Sequence, residues 1–309
     1  MVDSPVFLVG AERSGTTLLR LMLDGHPDIA FMSESEFLVD AIDGNGRFPE
    51  PAAFEAHLAG DRVFRRSGLT LTPGLDFRAQ ADDFLEQRRA RKGAGLVGAT
   101  VHRDFDRLLL IWPNARFIHL VRDGRDVGLS TIPMGWSGNI YSGIRRWVDV
   151  ETIWDRLEDE LPADRHITVR YEALAHDAEA ELRTICAFLG EDFREGMLAI
   201  DQRSTYSAPH SKSIGKHRRA DPVDVGAAES IAGRWLTKYG YALSGARPPG
   251  RCDLVRLSLQ NRWAIANFRR RRYSTPLWLA SVLAKRVGTP GWRAAVRRRL
   301  HAVDDRHLK

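Results

Sequence analysis

Between residues 5 and 25 the chain has to build a strand, a tight loop and a helix in quick succession, and few folds accommodate that. Pro5 to Gly10 (Pro-Val-Phe-Leu-Val-Gly) is a short apolar run rich in β-formers, the signature of a strand buried on both faces. Thr16 to Gly25 carries Leu18, Leu19, Leu21, Met22 and Leu23 and is bounded by Gly25 and Pro27, which predicts an apolar helix. The same alternation recurs downstream. Arg116 to Val121 reads as a second buried strand, with a helix starting over Asp126 to Ser130. Gly143 to Leu161 reads as an amphipathic helix, His166 to Val169 as a third strand, and Asp177 to Leu189 as a helix stopped by Gly190. Strands alternating with helices predict an α/β fold built on a parallel, doubly wound sheet flanked by helices. Asn45 to Gly74, rich in Gly, Pro and charge, reads as an excursion outside the core.

The run Gly245-Ala246-Arg247-Pro248-Pro249-Gly250 breaks this pattern and predicts a boundary, with a domain over 1–245 and a basic helical C-terminal extension over 246–309. Charge follows the same division. From Arg251 to Lys309, 15 Lys and Arg stand against three Asp, so that stretch carries +12 and the preceding 250 residues carry −6 of the chain's net +6. The extension interleaves Arg269 to Arg272 with Trp263, Phe268, Trp278, Leu279 and Trp292. That mixture suits peripheral contact with a membrane surface as well as a solvated helical cap, and no nucleic-acid motif accompanies it. Two cysteines make no disulfide framework and no metal-ligand spacing. The first residues lack a basic, apolar leader, and no apolar run approaches the ~20 residues that cross a bilayer. The expectation is a cytoplasmic enzyme, possible membrane association included.

The loop between the first strand and helix, Gly10-Ala11-Glu12-Arg13-Ser14-Gly15-Thr16-Thr17, has the make-up of an anion cradle. Its glycines allow a tight turn that aims several N–H groups at one point, and the helix adds positive charge at its N-terminus. Arg13 supplies a fixed guanidinium fork, and Thr16 and Thr17 supply hydroxyls. The spacing is that of the G-x-x-x-x-G-K-[ST] loop, but Thr16 stands where an NTPase has its lysine and the cation sits inside the loop. A second cluster lies in Phe117 to Ser130. Arg122 falls just past the carboxyl end of a strand, where open α/β sheets bind ligands, and Ser130 follows about two turns into the next helix. Taken alone, its Arg-Asp-Gly-Arg-Asp is more often a surface ion-pair cluster.

Together the two segments resemble the PAPS-dependent sulfotransferases (PAPS being 3′-phosphoadenosine 5′-phosphosulfate), in particular the bacterial and tyrosylprotein-type branch. Arg13, Ser14, Gly15, Thr16 and Thr17 match that family's 5′-phosphosulfate loop. Arg122 and Ser130 match its 3′-phosphate site, and His26-Pro27-Asp28 matches its turn after the first helix. The resemblance spans roughly residues 5–240 and implies a P-loop nucleotide-kinase-like sheet. It implies an enzyme that transfers a sulfuryl group from PAPS to an acceptor hydroxyl or amine, with no metal required. It also implies that Tyr171, in Tyr171-Glu172-Ala173-Leu174, approaches the adenine. Ser211 to Arg219 would be the late cofactor loop, with Lys212, Ser213 and Lys216 closing over the nucleotide.

Two residues compete for general base: Glu34, where the tyrosylprotein branch carries its glutamate, and His102, where cytosolic sulfotransferases carry a histidine. Arg13 would assist catalysis by stabilising the leaving phosphate. The family's usual Lys-Thr pair is Ala99-Thr100 here, and Arg103 is the candidate replacement for the missing cation. Loops over Glu36 to Arg91 and Ser130 to Trp147 are expected to form the acceptor pocket, with Trp136, Tyr141 and Trp147 as an aromatic lining. The acceptor itself, a small molecule, glycan or lipid, is not named by these sequences. The alternative reading is a P-loop-related kinase or NTPase using ATP, which Thr16 disfavours.

Overall fold

Five parallel strands form one sheet in the order β2–β3–β1–β4–β5, where β1 is Val6–Val9, β2 Ile29–Glu34, β3 Leu96–Val101, β4 Arg116–Val121 and β5 His166–Arg170. The computed structural model describes residues 2–200 and 211–305. β1 runs down the centre and is buried throughout. Its side chains alternate between two cores: Phe7 and Val9 enter one, Val6 and Leu8 the other. That is the period of two expected for a strand covered on both faces. Helices Phe77–Lys92, Ile140–Glu160 and Pro222–Lys238 contribute to the first core, and Thr16–Leu23 and Ala178–Leu189 to the second. Val9 pairs with Val101 on one side and His119 on the other, so β1 and β3 end level, β4 runs two residues further to Val121, and all three carboxyl ends open onto one edge.

The three strands expected from the sequence are present, as are the helices that follow them; Ala178–Leu189 is capped by the Asp177 carboxylate and ends at Gly190. β2 and β3 escaped the reading. β3 (Leu-Val-Gly-Ala-Thr-Val) is diluted by Gly98 and Ala99, both poor strand formers. The glycine is there because the backbone is crowded: a Cβ on Gly98 would stand 2.1 Å from the Val6 carbonyl oxygen and 2.7 Å from the Phe31 ring.

Residues 45–74 require a correction. They contain the helices Pro51–Gly60 and Arg62–Ser67, and Phe54 and Leu58 are buried in the first core. Phe54 packs edge-on against Phe77, and Phe64 against Phe37. High Gly, Pro and charge content hid a short helical pair whose few aromatics do the packing.

Beyond an irregular stretch over 241–250, the extension is three helices, Arg251–Arg272, Thr275–Val287 and Pro290–Asp305. Among the described residues no helix is long and apolar enough to cross a membrane.

Candidate active site

The loop after β1 leaves the sheet through backbone that most side chains avoid. Arg13 has φ +73° and Gly15 φ +104°, both in the left-handed region. For a non-glycine this costs on the order of 1–2 kcal/mol, a strain retained where local geometry matters. Gly15 also has no room for a Cβ, which would stand 2.6 Å from the Tyr171 ring. It is the N-cap of helix Thr16–Leu23, and no side chain caps the helix there. The positive end of the helix therefore faces the loop unneutralised by protein. Ser14 is fully buried, and its Oγ has no hydrogen-bond partner among the described residues. A buried hydroxyl without a side-chain or backbone partner, in a loop of this shape, is suited to an anion's oxygen.

The two predicted anion sites meet. Arg13 Nε donates to Ser130 Oγ at 3.2 Å, although the residues are 117 apart in sequence. Arg122, just past β4, donates through Nη1 to the Arg13 carbonyl at 3.4 Å and through Nη2 to the Ser213 carbonyl at 2.7 Å. Its Nε is buried and has no hydrogen-bond partner among the described residues. Its guanidinium lies 4.6 Å above the Tyr171 ring centre, and the Tyr171 hydroxyl is 3.2 Å from Ser213 Oγ. Arg13, Ser14, Gly15, Arg122, Ser130, Tyr171 and Ser213 thus form one constellation at the carboxyl edge of the sheet. Lys212 and Lys216 flank Ser213 with exposed side chains.

The segment bearing Ser213 is fastened by a residue the sequence reading passed over. Asp126, in the first turn of helix Gly124–Thr131, accepts from Gly215 N (2.6 Å), His217 N (2.9 Å) and His217 Nδ1 (2.9 Å). Burial alone would raise its carboxyl, but the His217 hydrogen bonds and charge, with the Gly215 N–H, outweigh that and hold it below the usual range. The neighbouring cluster is not on the surface. Arg125 is buried, forked onto Asp123 and paired with Glu229 at 2.5 Å. Glu172 accepts from Asp123 N and from the Tyr241 hydroxyl, tying the Tyr171 element to the same knot. The second acid of the Arg-Asp-Gly-Arg-Asp run and the histidine inside Lys216-His217-Arg218 were the available signals.

The two candidate bases stand side by side. Glu34, at the end of β2, has its carboxylate 4.0 Å from His102 Nε2; its side chain is 52% exposed, that of His102 6%. His102 Nδ1 donates to the Gly10 carbonyl at 2.9 Å, which fixes the ring and turns Nε2 toward Glu34. Glu36 lies behind them, accepting from His102 N; burial raises its carboxyl, with the nearby His102 opposing the shift. Glu34 lines a cavity of about 300 Å³ with Thr17, Thr100, Arg20, Arg62 and Arg66. The Thr100 hydroxyl is buried there and unmet.

Two expectations fail. Arg103 does not replace the missing cation: its fork is engaged by Asp40 at 2.5 and 3.0 Å. Trp136, Tyr141 and Trp147 do not line a common pocket. Trp147 is fully buried against Gly124, while Tyr141 and Trp136 lie under Arg145 and Arg146. Outside this region His26, Asp28 and Glu191 bring ligand atoms within 4.8 Å of one another. Both ring nitrogens of His26 are already engaged, by Asp28 N and the Asp192 carbonyl.

A parallel sheet with an uncapped, strained phosphate loop after its first strand, facing an arginine past the adjoining strand, defines a P-loop-like nucleotide-binding enzyme. The profile of the Sulfotransferase family matches residues 5–195, and the chain belongs to that family. Its relatives include Protein-tyrosine sulfotransferase 1 of Danio rerio, 28% identical over 292 residues, covering 81% of this chain and 76% of that protein. Another is the omega-hydroxy-beta-dihydromenaquinone-9 sulfotransferase Stf3 of Mycobacterium bovis, 24% identical, covering 78% and 76%. Among solved structures, the sulfotransferase domain from the curacin biosynthetic pathway superposes with a TM-score of 0.50 at 18% identity, over 84% of this chain and 97% of that one. The chain is a PAPS-dependent sulfotransferase, as the paired motifs implied, and nothing favours the kinase alternative.

Proposed function

We propose that Arg13, Ser14, Gly15, Thr16 and Thr17 hold the 5′-phosphosulfate of PAPS, and that Arg122 and Ser130 hold its 3′-phosphate. The contact between Arg13 and Ser130 carries this reading, because one adenylate can be clasped only by two anion sites that lie within its span of each other. The unmet Ser14 Oγ and Arg122 Nε fit the group, each a buried donor waiting for an oxygen. Tyr171 approaches the adenine, and Lys212, Ser213 and Lys216 form a lid that Asp126 fastens. PAPS supplies an activated sulfuryl group on a phosphate leaving group.

Glu34 is the general base in this reading. Its exposed carboxylate opens onto the cavity beside Thr17 and Thr100, whereas His102 is buried behind it. Glu34 takes the acceptor's proton as the acceptor oxygen or nitrogen bonds sulfur. Arg13, the loop amides and the helix N-terminus receive the charge that grows on the 5′-phosphate as its bond to sulfur breaks. No metal is called for, since guanidinium and amide groups supply the positive field.

The acceptor enters through the cavity beside Glu34 and is a small molecule, glycan or lipid. Named relatives act on protein tyrosine and on a menaquinone, so acceptor chemistry varies among related chains. We take residues 246–309 as a basic helical extension making peripheral membrane contact, in a cytoplasmic enzyme whose exposed Cys252 stays a free thiol.

Calorimetric titration with 3′-phosphoadenosine 5′-phosphate (PAP) tests the cofactor assignment. Arg13→Ala and Arg122→Ala should each weaken binding by about 10- to 100-fold, the loss of one or two charge-assisted hydrogen bonds. Unchanged affinity in both variants would remove the assignment.

A further inference from the structure

The helix Arg251–Arg272 is held to the body along one side only. Leu257, Asn261, Ala264 and Phe268 face inward: the Leu257 carbonyl accepts from Asn139 Nδ2 and Asn261 Oδ1 accepts from Gly138 N. Ala264 packs on Gly138 and Phe268 on Gly135. These spacings of four, three and four residues leave a second apolar stripe unaccounted for. Val255, Leu259 and Trp263 are 60%, 59% and 69% exposed, four residues apart, and exposed Cys252 extends their line. At about 100° per residue this stripe points roughly 165° away from the docked face. Most of its side-chain surface is open to solvent.

The borders of the stripe are arginines. Arg251, Arg262 and Arg269 fall along one edge in that projection and Arg256 along the other, all exposed. The following helix, Thr275–Val287, repeats the theme, with Leu279, Leu283 and Val287 exposed at four-residue intervals and Lys285 and Arg286 beside them. An apolar ridge bordered by guanidinium groups, three of them along one edge, is complementary to an anionic, amphipathic surface. It is poorly suited to a symmetric partner, since two copies joined along the ridge would bring their arginine borders together.

We infer that this outward face docks on an anionic lipid bilayer, with Val255, Leu259 and Trp263 entering the boundary between headgroups and acyl chains. The arginines on its borders bind lipid phosphates. The inference rests on the peripheral-contact reading above and deepens it by naming the face and the mode: shallow insertion, not electrostatic adhesion alone.

The full chain, labelled at Cys252 with an environment-sensitive fluorophore, is titrated with phosphatidylcholine vesicles with and without phosphatidylserine; Cys186 is buried. The account expects a blue-shifted, brightened label and co-sedimentation only with the anionic vesicles. It expects Leu259→Glu/Trp263→Glu to weaken partitioning by about tenfold or more while PAP still raises the melting temperature equally, which verifies the fold. Undiminished binding in the variant, or a label that stays in water on bound protein, overturns insertion and leaves electrostatic contact standing. Absence of anionic-vesicle binding in the unmutated chain overturns both readings. A lipid-free dimer abolished by the variant assigns the face to a second copy and overturns the proposal.

Discussion

Glu34 and His102 share one small space, yet the roles they can take differ because only one opens onto the cavity beside Thr17 and Thr100. His102 spends Nδ1 on the Gly10 carbonyl and so couples the phosphate loop to the orientation of its own ring. Glu34→Gln should lower turnover by about 10²-fold or more with PAP affinity unchanged, since an amide cannot take a proton. His102→Ala should cost less in turnover and also disturb nucleotide affinity through the freed Gly10 carbonyl. Steady-state rates and PAP titrations on both variants check this; near-normal turnover in Glu34→Gln with loss in His102→Ala would exchange the assignments. Selectivity divides similarly at Arg122. Arg122→Ala should reduce affinity for PAP about 10- to 100-fold but leave ADP binding nearly unchanged.

At the scale of elements, Asp126 is the carboxylate that fastens the backbone of Gly215 and His217 beside Ser213. Asp126 has a folded-state pKa below its ordinary value, so the hold it provides is complete above the usual carboxylate range and is lost as pH falls through the lowered value. The window lies below about pH 4. Asp126→Asn mimics the protonated form at neutral pH and should raise the KM for PAPS about tenfold with a smaller change in kcat. Equal falls in kcat and kcat/KM would instead implicate chemistry at the reacting group. What the sequence disclosed about these elements followed from chemistry carried on consecutive residues. The loop Gly10 to Thr17, Arg122 with Ser130, and the strands β1, β4 and β5 were legible because each announces itself by local pattern. β3 was not, since Gly98 answers to a contact with Val6 and Phe31 that no local window contains. The helices of residues 51–67 and the Asp126–His217 clasp were hidden for the same reason. Trp147 misled in the opposite direction, an aromatic suited to a pocket that is spent on the core.

Over the whole molecule, a body of net −6 carries an extension of net +12 counted from Arg251. The body's own cohesion includes a polar pair placed far from solvent. His119 of β4 and Glu151 of helix Ile140–Glu160 are both fully buried with Nε2 and Oε2 3.3 Å apart, and His119 stacks on Trp154 at 4.4 Å. Removing one partner leaves the other buried without it, so His119→Phe should destabilise the fold by about 1–3 kcal/mol, read as a lower urea midpoint with the slope unchanged. An unshifted midpoint would mean that His119 gives Glu151 no support.

The central claim is that two anion sites, one after β1 and one after β4, clasp the same 3′-phosphorylated adenylate. Thermal denaturation of the full chain with saturating PAP, ADP or ATP, without added metal, tests it most directly. A ligand at about 100 times its Kd adds roughly 2.7 kcal/mol, a shift of several degrees. The account predicts that shift for PAP and a clearly smaller one for ADP and ATP, with the preference for PAP abolished in Arg122→Ala. Equal stabilisation by all three, or a larger effect of ATP, would contradict it.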